Sequence, residues 1–171
     1  MDALRRQIIA GMPFFQMQAM VDTLYRYAHP GPELTQDYGG RIRPMSGPSL
    51  CLDVQWGNPN AGTPVWLWPC TGDPAQHWSY DRQSQTIRQV SYGKCLDVRG
   101  GGSTPGTAVE IWDCNGGDAQ RWSYDPEKHE LRNAGGLVLL VLDVQWANLA
   151  AQTPLWVWPR NDTAAQLYLA E

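Results

Sequence analysis

The chain has 171 residues, 13 Lys plus Arg against 17 Asp plus Glu, a formal net charge of -4 and a pI near 5.3. That mildly acidic balance speaks against nucleic acid or an anionic membrane surface as a partner, because phosphate binding needs a basic patch. No apolar run reaches the roughly 18 residues of a membrane span. The 9 Trp and 7 Tyr against only 2 Phe favour rings that carry a polar handle, which suit a half-wet binding surface.

Residues 1–40 stand apart from the rest of the chain and read as a short helical segment. Leu4, Ile8 and Ile9 fit one helical face, and after Pro13 a second face carries Met17, Met20, Val21 and Leu24. His29-Pro30-Gly31-Pro32 stops this pattern, and Tyr38-Gly39-Gly40 leads onward. The segment is expected to pack on the domain behind it or to dock a protein partner or a second copy. As a secretion signal it is poor, because Pro13 interrupts the apolar run from Ile8 to Phe15 and Gln16 and Gln18 come next.

From residue 41 onward the chain repeats itself three times. Cys51-Leu52-Asp53-Val54 returns as Cys95-Leu96-Asp97-Val98 and as Val141-Leu142-Asp143-Val144. The register within a unit has no gaps: Asp53, Asp97 and Asp143 each precede Trp68, Trp112 and Trp158 by the same fifteen residues. The same eight residues then separate those Trp from Gln76, Gln120 and Gln166, which open Gln-His-Trp, Gln-Arg-Trp and Gln-Leu-Tyr triplets. Val65-Trp66-Leu67-Trp68 alternates as a strand, with Val65 and Leu67 on one face and Trp66 and Trp68 on the other. Val109, Ile111, Leu155 and Val157 keep the aliphatic face, and Glu110, Trp112, Trp156 and Trp158 the opposite one. Gly57-Asn58-Pro59-Asn60 and Gly100-Gly101-Gly102-Ser103 interpose turns, so short strands without helices between them predict an all-β barrel or sandwich.

Three such units, with a CLDV-type start, an LW-x-C centre and a QxW-type end, resemble the ricin B-type β-trefoil lectin family, also classed as a carbohydrate-binding module. The resemblance covers about residues 41–171, in repeats of about 41–84, 85–129 and 130–171. It implies a β-trefoil of three pseudo-symmetric four-stranded repeats, with Arg41-Ile42-Arg43 as the opening strand beside Gln166–Ala170. It also implies that the Asp and the following Trp are the sugar-contacting and stacking residues. The chain departs from the family at Ala75, Ala119 and Ala165, where an Asn usually precedes the Gln.

Four cysteines permit three pairings. Cys51 and Cys70 occupy the positions of Cys95 and Cys114, and the third repeat loses both equivalents together, as Val141 and Arg160. Paired loss predicts Cys51–Cys70 and Cys95–Cys114 disulfides, hence an oxidising compartment and a secreted or extracellular protein.

A sugar presents an apolar face of C–H groups and a rim of hydroxyls, and needs a flat aromatic for the first and fixed acceptors for the second. A carboxylate accepts charge-assisted bonds from adjacent hydroxyls. The expected carbohydrate contacts are therefore Asp53, Trp66 and Trp68 in the first repeat, and Asp97, Glu110, Trp112 and Asn115 in the second. The third repeat supplies Asp143, Trp156, Trp158 and Asn161. Gln76, Gln120 and Gln166 are expected to orient the Asp or satisfy backbone groups, and Trp78, Trp122 and Tyr168 to lie in the core. Each Asp also has a plainer reading as a turn cap. The second repeat, with Glu110 and Asn115, carries the fullest polar set; the first and third share Gln55-Trp56 and Gln145-Trp146.

Catalysis is not expected. A glycosidase needs two carboxylates about 5–10 Å apart, and only Asp97 with Glu110 offers a pair on one face. His29, His77 and His129 are scattered, no metal spacing or cofactor motif is present, and no nucleophile motif occurs. The competing reading is a β-trefoil that binds proteins through its loops as an interaction or inhibitor module.

Overall fold

Strand alternation decides the architecture. A computed structural model describes residues 38–136 and 138–170. The helices expected in residues 1–37 lie outside the described residues. Thirteen strands are present among those described. After β1 (Tyr38–Gly40) they fall four to a lobe: β2 (Ile42–Pro44), β3 (Leu50–Val54), β4 (Thr63–Pro69) and β5 (Trp78–Asp81) make lobe one. Lobe two holds β6 (Thr86–Gln89), β7 (Lys94–Val98), β8 (Thr107–Asp113) and β9 (Trp122–Asp125). Lobe three holds β10 (Glu130–Asn133), β11 (Leu140–Val144), β12 (Leu155–Pro159) and β13 (Tyr168–Ala170). This is an all-β, β-trefoil fold.

Each lobe centres on an antiparallel hairpin in the same register. Leu52 faces Leu67 and Val54 faces Val65 in lobe one; Leu96 faces Ile111 and Val98 faces Val109 in lobe two; Leu142 faces Val157 and Val144 faces Leu155 in lobe three. These twelve side chains are buried, and each removes roughly 1.5–3 kcal/mol worth of apolar surface from water. Trp78, Trp122 and Tyr168 are fully buried, as expected of core positions. Trp78 and Trp122 donate their indole N–H to Leu52 O and Leu96 O at 3.0 and 2.9 Å, so that neither polar edge is orphaned.

The lobes interlock through main chain. β8 pairs with both β4 and β12, and Trp66 bridges to Pro154, which closes a ring of three hairpins. The backbone N–H of Gly62, Gly106 and Gln152 donate to Ile111 O, Val157 O and Leu67 O, at 2.8, 2.8 and 2.7 Å, so each hairpin loop seats on the next lobe. The opening strand spans Ile42–Pro44 and pairs with β13, and β1 adds a strand on β5 that the repeat pattern did not contain. Both disulfides are as expected, Cys51–Cys70 and Cys95–Cys114. Among the described residues no helix is long and apolar enough to cross a membrane, and no cluster of three or more His, Cys, Asp or Glu is arranged to hold a metal ion.

Candidate functional site

The hairpin register that sends Leu52 and Leu67 inward sends Asp53 and its cross-strand partner to the opposite face. That partner is Trp66 for Asp53, Glu110 for Asp97 and Trp156 for Asp143. Two pairs further along, and so on the same face, Trp68, Trp112 and Trp158 lie opposite Cys51, Cys95 and Val141. The sequence-predicted Asp and Trp of each lobe are thus brought together in three equivalent places.

The shared geometry is completed by the glutamines, each of which bonds both the Asp and the backbone. Gln120 Nε2 donates to Asp97 Oδ2 at 2.8 Å and to Asp113 O at 2.9 Å, while its Oε1 accepts from Asn115 N at 2.8 Å. Gln76 repeats this with Asp53 Oδ2, Pro69 O and Thr71 N; Gln166 repeats it with Asp143 Oδ2, Pro159 O and Asn161 N. Each amide is fully buried and fully used. Each Asp is only 5% exposed. Burial pushes all three carboxyls above the ordinary aspartate range, opposed by the hydrogen bonds they accept; the nearby Glu110 charge adds to the rise at Asp97.

The lobes then divide. In lobe one Trp66 Nε1 donates to Asp53 Oδ1 at 2.8 Å, and in lobe three Trp156 Nε1 donates to Asp143 Oδ1 at 2.7 Å. Trp66 and Trp156 lie on the expected face of their strands, but they are buried rather than open plates, 4% and 8% exposed. The cause is a third indole. Trp56 packs edge-on against Trp66 with centroids 4.7 Å apart at 70°, and Trp146 against Trp156 at 4.9 Å and 66°. Trp68 also stacks on Trp66 at 5.4 Å and 12°, and Trp158 on Trp156 at 4.9 Å and 20°. Trp68 and Trp158 remain half-buried, and Trp56 and Trp146 are 71% and 76% exposed.

Trp56 and Trp146 were not among the expected site residues. Both sit at left-handed φ, 57° and 56°, inside the short 3-10 turns that follow β3 and β11. A bulky side chain there costs of the order of 1–3 kcal/mol. Lobe two has Gly100 at the equivalent point, φ 64°, so the turn itself requires no side chain. The signal was available: Gly100-Gly101 aligned with Trp56-Gly57 and Trp146-Ala147 marks a left-handed turn, and an indole placed on one must fold back over the hairpin.

In lobe two the indole donor is replaced by an acceptor. Glu110, 4% exposed, accepts through its Oε2 from Arg99 Nε at 2.5 Å. Asp97 accepts only from Gln120, through Oδ2, and its Oδ1 faces no donor among the described residues. Beside it lies a cleft of ≈ 540 Å³ lined by Asp97, Glu110, Trp112, Asn115, Asp118, Ala119 and four glycines, Gly100, Gly101, Gly117 and Gly135. Trp112 is 43% exposed on its wall. Asn115 spends its Oδ1 on Gly117 N at 2.8 Å, which leaves its amide N–H groups for the cleft. Lobe three has a smaller cleft of ≈ 210 Å³ between Asp143, Trp146, Trp156, Trp158 and Asn161. Asn161 uses Oδ1 on Thr163 in the same way.

A family model for the ricin-type beta-trefoil lectin domain matches residues 38–168. The designed threefold-symmetric protein ThreeFoil superposes with a TM-score of 0.69 at 20% identity, covering 78% of this chain and 98% of that one. An agglutinin from Abrus precatorius superposes at 0.65 with 28% identity, over 80% of this chain and 49% of its own. A non-toxic homologue of type II RIPs from Momordica charantia (bitter gourd), solved with α-methyl-D-galactoside, gives 0.65 and 26%, over 79% and 48%. This chain therefore spans about half the length of either plant chain. No curated protein matches it.

Proposed function

The chain belongs to the ricin-type β-trefoil lectin family, and we propose that it is a non-catalytic carbohydrate-binding protein with lobe two as its main polar site. The observation that carries this reading is the open Oδ1 of Asp97, a residue 5% exposed, without a donor among the described residues and beside the exposed Trp112 ring in the cleft of ≈ 540 Å³. That oxygen opens on the cleft, and hydrogen bonds to a carboxylate are roughly twice as strong as neutral ones. Adjacent hydroxyls of a terminal sugar supply the missing donors while the sugar's C–H face covers Trp112. Glu110, fixed by Arg99, adds a second acceptor, and Asn115 offers donors across the cleft. The galactoside in the Momordica relative makes a terminal galactose-type sugar the first ligand to try.

Asp53, Trp68, Asp143, Trp158 and Asn161 are read as the corresponding contacts in lobes one and three, with Trp66 and Trp156 acting beneath them. One shallow site binds at about millimolar affinity, roughly -4 kcal/mol, and several lobes on one polymer gain roughly 10²–10⁴ through effective concentration. A role as the targeting part of a larger toxin or hydrolase belongs to the same proposal. Two disulfides support a secreted or extracellular setting.

A glycan array on the full chain tests the proposal. Binding of a terminal hexoside that is lost in Asp97→Asn and in Trp112→Ala supports it. A blank array, with wild type folded and capturing proteins through its loops, overturns it in favour of an interaction module.

A further inference from the structure

Lobes one and three do not repeat the chemistry of lobe two, and the difference names a ligand. Both oxygens of Asp53 and of Asp143 already hold internal donors, the indole N–H of Trp66 or Trp156 and the amide of Gln76 or Gln166. Two of the roughly four lone-pair sites of each carboxylate are thus taken, against one at Asp97, so lobes one and three offer sugar hydroxyls less acceptor capacity than lobe two. What these lobes add instead is aromatic area. Trp56 and Trp146 stand at strained, left-handed backbone positions, largely exposed, where Gly100 shows that the turn forms without a side chain. Turn formation does not ask for an indole at that point, and although each of the two covers the indole beneath it, most of its own surface stays exposed.

These indoles are held in place. Each packs edge-on against a buried indole whose carboxylate bond pins it in turn. In lobe one the result is two presented rings, Trp56 and Trp68, with centroids 6.3 Å apart and planes inclined at 58°. That spacing is on the scale of one sugar ring, so the two rings meet consecutive units of a chain rather than one unit twice. Lobe three builds the same trio, and Trp146 and Trp158 both line its cleft.

From this we infer that lobes one and three bind the interior of a β-linked chain of all-equatorial sugars, of the gluco or xylo type. Two successive units stack on Trp68 and Trp56, and on Trp158 and Trp146. Ring stereochemistry selects this class. A pyranose whose hydroxyls are all equatorial shows C–H groups on both faces and meets an indole without burying a polar group, whereas an axial hydroxyl sets a polar group against the ring. Lobe two, with one exposed ring and an open acceptor, takes a chain end; lobes one and three take the chain's length. The inference rests on the carbohydrate-binding reading of this face and gives two of its three sites a ligand class of their own.

Titration calorimetry on the full chain, with glucose, cellobiose, cellotetraose, xylotetraose and laminaritetraose as probes, tests it. The expected result is at least one tetraose binding about tenfold or more tighter than glucose, with the gain lost in a Trp56→Gly/Trp146→Gly variant. Glycine is the residue the equivalent turn already carries, so the variant is expected to fold, which thermal melting and near-UV circular dichroism check. If every tetraose binds no tighter than glucose, or if the gain survives in the double variant, the inference is overturned, while hexoside binding that depends on Asp97 leaves the lectin reading standing. A wild type that self-associates through these rings, with a monomeric double variant and no response to any tetraose, also overturns it. Absence of all sugar binding, on the array and here, defeats the lectin reading itself.

Discussion

The indole N–H of Trp66 donates to Asp53 Oδ1 across 2.8 Å inside a buried pair. The two residues are direct cross-strand partners on the β3–β4 hairpin, so the bond is a consequence of register. Trp66→Phe keeps an aromatic ring but removes the donor and leaves a buried carboxylate oxygen with nothing to accept from. The expected loss is about 1–3 kcal/mol of stability, seen as a lower urea midpoint with an unchanged slope. Trp156→Phe is expected to match it. A loss under roughly 0.5 kcal/mol in both would mean that the carboxylates do not depend on these indoles.

Much of this was legible in the sequence, and the reasons are physical. Period-two alternation placed Val65 and Leu67 inside because a strand has only two faces, and the threefold copy fixed the hairpin register. Gln76, Gln120 and Gln166 were readable because a buried primary amide at a constant distance from an Asp has few other partners. The paired loss at Val141 and Arg160 identified the disulfides. The exposure of Trp66 and Trp156 was misjudged because alternation predicts the side of a strand, and whether a neighbour covers that side depends on the turn conformation two strand ends away. That conformation, left-handed at Trp56 and Trp146, leaves no periodic trace in sequence. Strand β1 was missed for a similar reason: Tyr38-Gly39-Gly40 has no hydrophobic pattern, and its pairing with β5 is a main-chain matter.

Asp97→Asn is expected to separate stability from binding. The native state holds the Asp97 proton more tightly than the unfolded chain does, because the site is buried and Glu110 is near. Keeping the charge at neutral pH therefore costs stability, and the cost disappears as pH falls through the raised native value. The amide removes that charge and its Nδ2 can donate toward Glu110. The variant should gain about 0.5–1.5 kcal/mol near neutral pH and lose the advantage below the ordinary aspartate range, while hexoside binding at lobe two disappears. Urea midpoints across pH check the first part. A variant less stable than wild type at neutral pH would show that the carboxylate stabilises the lobe.

Gln120→Glu is a change of one atom with a large expected effect. The amide donates to Asp97 Oδ2 and to Asp113 O while accepting from Asn115 N. A glutamate keeps the acceptor but turns the donor into an oxygen facing two acceptors inside the lobe. The expected cost is about 3–5 kcal/mol at neutral pH, decreasing as acid protonates one member of the new carboxyl pair. Native-state hydrogen exchange would show the loop around Asn115 losing protection first. An unchanged midpoint and unchanged exchange at neutral pH would show that the amide bonds are dispensable.

Lobe three holds together where the other two are cross-linked, and its means is ionic. Arg160 stands where Cys70 and Cys114 stand, and its Nε donates to Glu130 Oε1 at 2.7 Å; Glu130 is 1% exposed and also accepts from Arg132 Nη2 at 3.3 Å. Removing one partner of such a pair leaves a buried charge short of a donor, so Arg160→Met should cost about 1.5–3 kcal/mol. Neutralising the orphan as well should restore a good part of that, so the Arg160→Met/Glu130→Gln double variant is expected to be more stable than Arg160→Met alone. By contrast, Cys51→Ser/Cys70→Ser acts chiefly on the unfolded chain, opening a loop of about 20 residues at a cost of roughly 3 kcal/mol. Urea midpoints of the four proteins, with and without reductant, separate the two kinds of restraint: reductant should lower wild type and both Arg160 variants alike, because both disulfides lie in lobes one and two. If the double variant is no better than the single one, Glu130 is not held as a buried charge that needs Arg160, and lobe three owes its integrity to packing alone.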